Sequence, residues 1–155
     1  MPEVYLAADH AGFLLKEEIA GFLLKKGYLV HDFGTDSTET CDYPDFILPC
    51  AEAVAEAHGA AVGIVFGGSG LGECLAANKV KGIRAVAAYD RYTARMSRMH
   101  NNANVLSLGG PLHDAGQLCD MAKTWLETRF GGGRHMVRVN KIMAIERNIA
   151  GGGEE

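Results

Sequence analysis

Residues 62–73 read Val62-Gly63-Ile64-Val65-Phe66-Gly67-Gly68-Ser69-Gly70-Leu71-Gly72-Glu73. The first five are apolar and predict a buried strand, whereas four glycines among the next six predict a tight turn. A helix start follows. An order of strand, glycine turn and helix is typical of parallel α/β sheets, in which such a turn directs backbone N–H groups into a crevice where an anion can bind.

The residue that closes this turn is an acid, Glu73, and Cys74 follows it. A phosphate-binding P-loop has lysine and serine or threonine in these places, and the glycines do not match the dinucleotide-binding pattern either. A carboxylate repels a polyphosphate, but it can abstract a proton next to a carbonyl group. Two alternatives stay open: a turn that binds no ligand, and a first-turn acid that only stabilises its helix.

Length, charge and cysteine usage restrict the class of protein. The length of 155 residues is that of one α/β domain, which we expect over 1–150. The formal net charge of −4 argues against a nucleic-acid partner. We expect 151–155 to form a flexible C-terminal tail. No apolar stretch is long enough to span a membrane, and we expect no signal peptide because the first residues lack a basic start and a long apolar run. The four cysteines form no C-x-x-C pair, which argues against a zinc ribbon or a thioredoxin motif. We expect reduced thiols in a cytoplasmic protein.

Apolar segments of two kinds alternate along the chain. Strands are predicted at 4–8, 29–33, 62–66, 84–88 and 105–108. Helices are predicted at 13–26, 46–58, 73–79, 91–100, 112–129 and 134–149. We expect the helix at 112–129 to be the longest, and Pro49 to delay the start of the second helix beyond Pro44. The alternation predicts a Rossmann-like three-layer α/β sandwich, with a five-stranded parallel sheet and helices on both faces.

Polar residues follow several of the predicted strands. Asp9 and His10 come after the first strand, and Ser69 and Glu73 come after the third. His100 and Asn101 end the helix before the fifth strand, and we expect these residues to gather at one edge, where α/β sheets bind ligands.

A pair of arginines, Arg134 and Arg138, stands one turn apart on the last predicted helix. The guanidinium groups of such a pair can donate several hydrogen bonds to one phosphate. The alternative is a solvated basic face without a ligand.

Seven motifs, taken in order, cover nearly the whole chain. They are Ala7-Ala8-Asp9-His10-Ala11-Gly12, Asp42-Tyr43-Pro44, the run from Gly67 to Gly72, Ala76-Ala77-Asn78-Lys79, Gly82-Ile83-Arg84-Ala85, His100-Asn101-Asn102-Ala103-Asn104, and Gly132-Gly133-Arg134-His135 with Arg138. Together they resemble the type B ribose-5-phosphate isomerase family, which includes galactose-6-phosphate and allose-6-phosphate isomerases. The resemblance implies a five-stranded Rossmann-like fold, and a homodimer or homotetramer with its active site at the subunit interface.

The resemblance also implies roles for individual residues. Glu73 is the implied base, and Asp9 and His100 open the sugar ring, with His100 and Asn101 completing a neighbour's site. The backbone N–H groups of Gly68 to Gly70, with Ser69, are implied to stabilise the developing oxyanion, and Gly67 and Gly72 are implied substrate-binding residues of the same run. Tyr43 is implied to line the sugar pocket, and His10, Arg134 and Arg138 to hold the phosphate. No metal and no organic cofactor are implied.

The chain departs from its relatives at two positions. Many relatives have a cysteine base where Gly67 stands, so this chain resembles the subgroup with a glutamate base, and Cys74 is only a minor rival. Many also have a phosphate-binding arginine where Pro111 stands, which His113 could replace.

The resemblance therefore implies a cofactor-independent aldose–ketose isomerase of sugar phosphates, with ribose 5-phosphate as the expected substrate. Two alternatives stay open. One is an isomerase of allose 6-phosphate or galactose 6-phosphate, and the other is a non-catalytic module that binds a sugar phosphate.

Overall fold

The computed structural model describes residues 1–111 and 113–151. Five strands are present: β1 (Glu3–Ala8), β2 (Val30–Asp32), β3 (Ala61–Gly67), β4 (Ala85–Ala87) and β5 (Val105–Gly109). Six helices accompany them: α1 (Phe13–Lys25), α2 (Pro44–Glu56), α3 (Leu71–Ala77), α4 (Arg91–Asn101), α5 (Ala115–Glu127) and α6 (Arg134–Gly151).

The strands form one parallel sheet in the order β2-β1-β3-β5-β4. From β1 the chain first adds β2 on one side and then β3 on the other. Connections therefore leave β1 and β3 in opposite directions, which opens a crevice between their carboxyl ends. The predicted α/β sandwich with five parallel strands is confirmed.

Two hydrophobic layers cover the sheet. Val62, Ile64 and Phe66 of β3 pack with α1, α4 and α5, whereas Val65 packs with α2 and α3 on the opposite face. This alternation follows the two-residue period of a strand. Every residue of β3 is buried, as expected for a central parallel strand covered on both faces.

The second helix begins earlier than predicted. α2 starts at Pro44 and continues through Pro49, so the expectation of a later start was wrong. Proline suits the first helical position because the amide there has no helical acceptor. Pro49 interrupts one hydrogen bond on the exposed side, while four residues buried on the other side carry the helix past it: Ile47, Cys50, Ala51 and Val54.

The longest helix was also predicted wrongly. α5 has 13 residues and α6 has 18. Asp114 begins α5 through a reciprocal pair of side-chain hydrogen bonds with Gln117, so the helix starts at Ala115. The predicted start at Leu112 lies outside the described residues, as does the predicted tail except Gly151, which ends α6. Within the described ranges, none of the helices combines the length and apolar character needed to cross a membrane.

Candidate active site

The crevice between β1 and β3 has Asp9 on its β1 side. The Asp9 carboxylate is buried and accepts a hydrogen bond from the Gly12 N–H at 3.0 Å. Gly12 presses on the end of β3, where an added Cβ would lie 2.5 Å from the carbonyl of Phe66. Only glycine permits this approach, and it brings Asp9 beside the first residues of the glycine run.

The glycine run itself is folded tightly against β5. Gly70 has a φ of +78°, a conformation that favours glycine, and its carbonyl accepts a hydrogen bond from the Ser107 hydroxyl at 2.6 Å. The exposed Ser69 hydroxyl oxygen accepts a hydrogen bond from the Leu71 N–H at 3.1 Å, which leaves its own proton free to donate. The run therefore forms a rigid wall with a hydroxyl at its tip.

Glu73 reaches back under this wall. Its side chain is only 4% exposed, and a Cβ added at Gly67 would collide with its carboxyl group. Burial raises the pKa of Glu73, a hydrogen bond from backbone lowers it, and the nearby charge of Asp9 raises it further. The carboxyl group of Glu73 thus fills the space that a side chain at position 67 would occupy.

The neighbouring thiol points elsewhere. Cys74 Sγ donates a hydrogen bond to the Ala85 carbonyl at 3.4 Å, toward β4, and burial raises the pKa of the thiol. A protonated thiol bound to a strand carbonyl is a poor base. The geometry therefore favours Glu73 over Cys74.

Two further predicted residues close the crevice from the loop between β2 and α2. His10 Nδ1 accepts a hydrogen bond from the Cys41 N–H at 3.2 Å, which ties the loop to the end of β1. The Tyr43 ring packs on Gly72, where an added Cβ would lie 2.8 Å from its Cζ. We call the assembled set the carboxyl-edge cluster: Asp9, His10, Tyr43, Gly67 to Gly72, and Glu73.

His100 and Asn101 do not join this cluster within the chain. α4 leaves the carboxyl end of β4 and returns to the amino end of β5, so its last residues lie at the opposite edge. Asn104, just beyond them, bonds to Arg84 and Gly63 at the starts of β4 and β3. The expectation that all polar groups gather at one edge was wrong, because a helix between parallel strands ends where the next strand begins.

The start of α6 lies beside His100. The rings of His100 and His135 stack, with centroids 4.3 Å apart and planes 13° from parallel. Partial burial lowers the pKa of His135, and the charges of His100, Arg134 and Arg138 lower it further. We call this set the amino-edge cluster: His100, Asn101, Arg134, His135 and Arg138.

His135 was not among the predicted site residues. The Gly132-Gly133-Arg134-His135 motif contains it, but its stacking partner lies in a different helix. No local spacing reveals such a pair.

Two concavities differ in position and lining. One of about 190 Å³ adjoins the glycine run and is lined partly by Pro111 and His113. Another, of about 840 Å³, lies at the amino edge and is lined by Arg84, Arg98 and Met143 among others. In the part of the chain that the structure describes, no three His, Cys, Asp or Glu side chains group so as to hold a metal ion.

Comparison with known proteins identifies the family of this chain. The model of one protein family, described as Ribose/Galactose Isomerase, matches residues 4–142. The chain belongs to this family. Ribose-5-phosphate isomerase B of Escherichia coli is 42% identical to it over 149 residues, which cover 95% of this chain and 98% of the relative.

Solved structures of family members have the same fold. Ribose-5-phosphate isomerase B of Clostridium thermocellum superposes with a TM-score of 0.91 at 50% identity, covering 95% of this chain and 99% of the other. The enzyme of Mycoplasma genitalium, solved with bound ribulose 5-phosphate, superposes with a TM-score of 0.90 at 36% identity, covering 94% and 96%.

Proposed function

We propose that this protein is an aldose–ketose isomerase that interconverts ribose 5-phosphate and ribulose 5-phosphate without a cofactor. The observation that carries the proposal is Glu73, a buried carboxyl group held under the glycine run beside Asp9. A base whose pKa is raised toward neutrality is suited to removing a weakly acidic C–H proton. Membership of the family and the ribulose 5-phosphate bound to the Mycoplasma genitalium relative support this substrate.

In this mechanism Glu73 moves one proton between adjacent carbons. Its carboxylate removes the proton from C2 of the open-chain aldose, the C–H electron pair forms the C1–C2 double bond, and the carbonyl pair moves onto O1. Backbone N–H groups of residues 68–70 and the Ser69 hydroxyl stabilise that oxyanion. A proton then passes from O2 to O1, Glu73 returns its proton to C1, and the C2 ketone forms.

The other proposed roles divide between the two clusters. Asp9 takes part in ring opening, Tyr43 lines the sugar and His10 contacts the phosphate, all from the carboxyl edge. His100, Asn101, Arg134 and Arg138 act from the amino edge of another chain. Fixing the remote phosphate orients the reacting carbons, which lowers the entropic part of the barrier.

A second copy of the chain is therefore part of the proposal. α6 supports it, because Val139 is the one residue of this helix buried in the chain, counted over the residues whose side chains are described. Ile142, Ile145 and Ile149 are more than half exposed and share one face with Arg138. An apolar stripe of this kind is suited to packing on another subunit, in a dimer or a tetramer.

The test of the reaction is an isomerase assay on the parent and on Glu73→Gln. We expect the variant to lose about 10²–10⁴-fold in kcat with its fold intact, since the amide cannot accept the proton. Ribose 5-phosphate should be turned over with a higher kcat/KM than allose 6-phosphate or galactose 6-phosphate. Near-parental turnover by Glu73→Gln removes it as the base, and a preference for a six-carbon substrate reassigns the sugar.

The shared site is tested by mixing inactive variants. Glu73→Gln and His100→Asn damage different clusters, so a mixed dimer has one site with both clusters intact. After subunit exchange we expect about a quarter of parental activity, because half the dimers are mixed and each has one working site. Activity that stays at the level of the separate variants contradicts a shared site.

We also propose a cytoplasmic location. Cys41, Cys50, Cys74 and Cys119 are all free thiols, a state typical of proteins from reducing compartments.

A further inference from the structure

The end of α4 is fastened to the start of β4 by an arginine outside both clusters. Arg84 Nε donates a hydrogen bond to the Asn102 carbonyl at 2.9 Å. Asn102 caps α4 in the left-handed conformation with a φ of 47°, one residue after Asn101. An asparagine in this conformation needs support from its surroundings, and the Arg84 guanidinium supplies a donor there.

The same guanidinium also contacts α6. Arg84 Nη1 lies 3.5 Å from the sulfur of Met143. The Gly82 N–H, two residues before Arg84, donates to the Glu146 carboxylate at 3.1 Å, which ties the segment before β4 to α6 a second time. Arg84 therefore contacts both helices that carry the amino-edge cluster.

The backbone of Arg84 is itself held in place. Its N–H donates to Asn104 Oδ1 at 2.7 Å, and Asn104 Nδ2 donates to the Gly82 carbonyl at 2.9 Å. Burial lowers the pKa of Arg84, and the charge of Glu146 opposes that shift. The guanidinium is thus a charged donor in a partly desolvated place, where a hydrogen bond is stronger than in water.

We propose that Arg84 is a positioning residue: it holds the end of α4 against α6, and thereby places His100 and Asn101 relative to Arg134 and Arg138. This rests on the proposed function, in which the amino-edge cluster completes the site of another chain. Arg84 acts on the neighbour's site and not on the carboxyl-edge cluster of its own chain, since its contacts are at the amino edge.

The first test compares Arg84→Met with Arg95→Met. Arg95 is an exposed arginine of α4 outside both clusters, so its variant is the matched control. We expect Arg84→Met to lower kcat/KM by about 10- to 100-fold, because a small displacement of a reacting group has effects of this size. The kcat/KM of Arg84→Lys should lie between those of the parent and Arg84→Met, because an ammonium keeps the charge but lacks the planar set of donors of a guanidinium. If Arg84→Met does not fold, Arg84→Lys takes its place in these tests.

Mixing experiments separate positioning from general damage. Arg84→Met mixed with Glu73→Gln should regain about a quarter of parental activity. Half the dimers are mixed, and in each of them one site joins the intact carboxyl-edge cluster of the Arg84→Met chain to the intact amino-edge cluster of the Glu73→Gln chain. Arg84→Met mixed with His100→Asn should regain no activity, since both changes damage the amino-edge cluster. No recovery with Glu73→Gln, or recovery with His100→Asn, overturns the proposal.

A readout without substrate keeps this inference apart from the proposed reaction. NMR signals of the His100 and His135 ring protons report their stacking directly. We expect both to shift in Arg84→Met and to stay at their parental positions in Arg95→Met. Unchanged ring signals in Arg84→Met overturn the positioning role, even if the parent isomerises a different sugar or none.

Discussion

At the residue scale, the contact between Gly67 and Glu73 couples the position of Glu73, the proposed base, to the residue that ends β3. The carboxyl group occupies the volume next to the Gly67 Cα, so a side chain at position 67 and a buried Glu73 exclude each other. This exclusion gives a steric reason for the expected departure from relatives with a cysteine at this position. On the proposed assignment, the Glu73 carboxyl group of this chain occupies the space that a side chain at position 67 would fill.

Replacing that glycine should therefore displace Glu73, the proposed base, without removing it. In Gly67→Ala the new methyl group collides with the Glu73 carboxyl, which has to rotate out of the crevice. We expect kcat to fall by about 100-fold, as for other small misplacements of a reacting group. Gly21→Ala is the control, because nothing lies within 4 Å of its added Cβ and α1 should gain slightly in stability. Parental kcat in Gly67→Ala contradicts the steric account.

Burial of Glu73 should also be visible in the pH dependence of stability. Its raised pKa means that the folded state binds the proton more tightly than the unfolded chain does, so its favourable contribution is present at low pH and is lost as pH rises through the folded-state pKa. Glu73→Gln removes the ionisation. We expect the variant to be more stable than the parent at pH 7, with a difference that shrinks as the parent is protonated.

Urea unfolding of both proteins across a pH series measures this difference. A parent that is the more stable protein at pH 7 would show that its carboxylate gains more from hydrogen bonds than it loses by burial.

At the element scale, α2 contains an internal proline, Pro49, whose replacement should raise the free energy of unfolding. Pro49 lacks the N–H that would bond to the carbonyl four residues earlier, yet it lies on the exposed side of the helix. Pro49→Ala restores that donor at the cost of a more flexible unfolded chain. We expect a net gain of about 1–2 kcal/mol in the free energy of unfolding.

The urea midpoints of parent, Pro49→Ala and Pro44→Ala check this gain. Pro44 occupies the first helical position, where no hydrogen bond is missing, so its replacement should bring no gain. An equal gain at both positions would mean that position in the helix does not matter.

At the scale of the whole molecule, the fold was predictable and the site only partly so. The five strands follow from local apolar runs, and their alternation with helices predicts the parallel sheet that the structure has. The order β2-β1-β3-β5-β4 was not predicted, because it depends on which strands pair and not on local pattern. Asp9 and Glu73 were expected to be neighbours because each follows a strand, and the structure places them together. Their catalytic roles stay predictions.

The amino-edge residues show where sequence reasoning ends. The direction of α4 sends His100 away from Glu73, and the stack of His100 on His135 joins two helices whose contact no spacing encodes. The proposal that two distant clusters belong to one site comes from the resemblance alone. The exposed isoleucines of α6 now support the second copy independently.

The division of the clusters between two edges has a consequence for the amount of enzyme a cell needs. On the proposed arrangement an isolated chain is inactive, and at concentrations below the dissociation constant of the pair the number of pairs rises with the square of the number of chains. Halving expression in that range would cut the isomerase flux to about a quarter. Growth that depends on this reaction would then fall more steeply than gene expression, whereas an enzyme complete in one chain would give a proportional response.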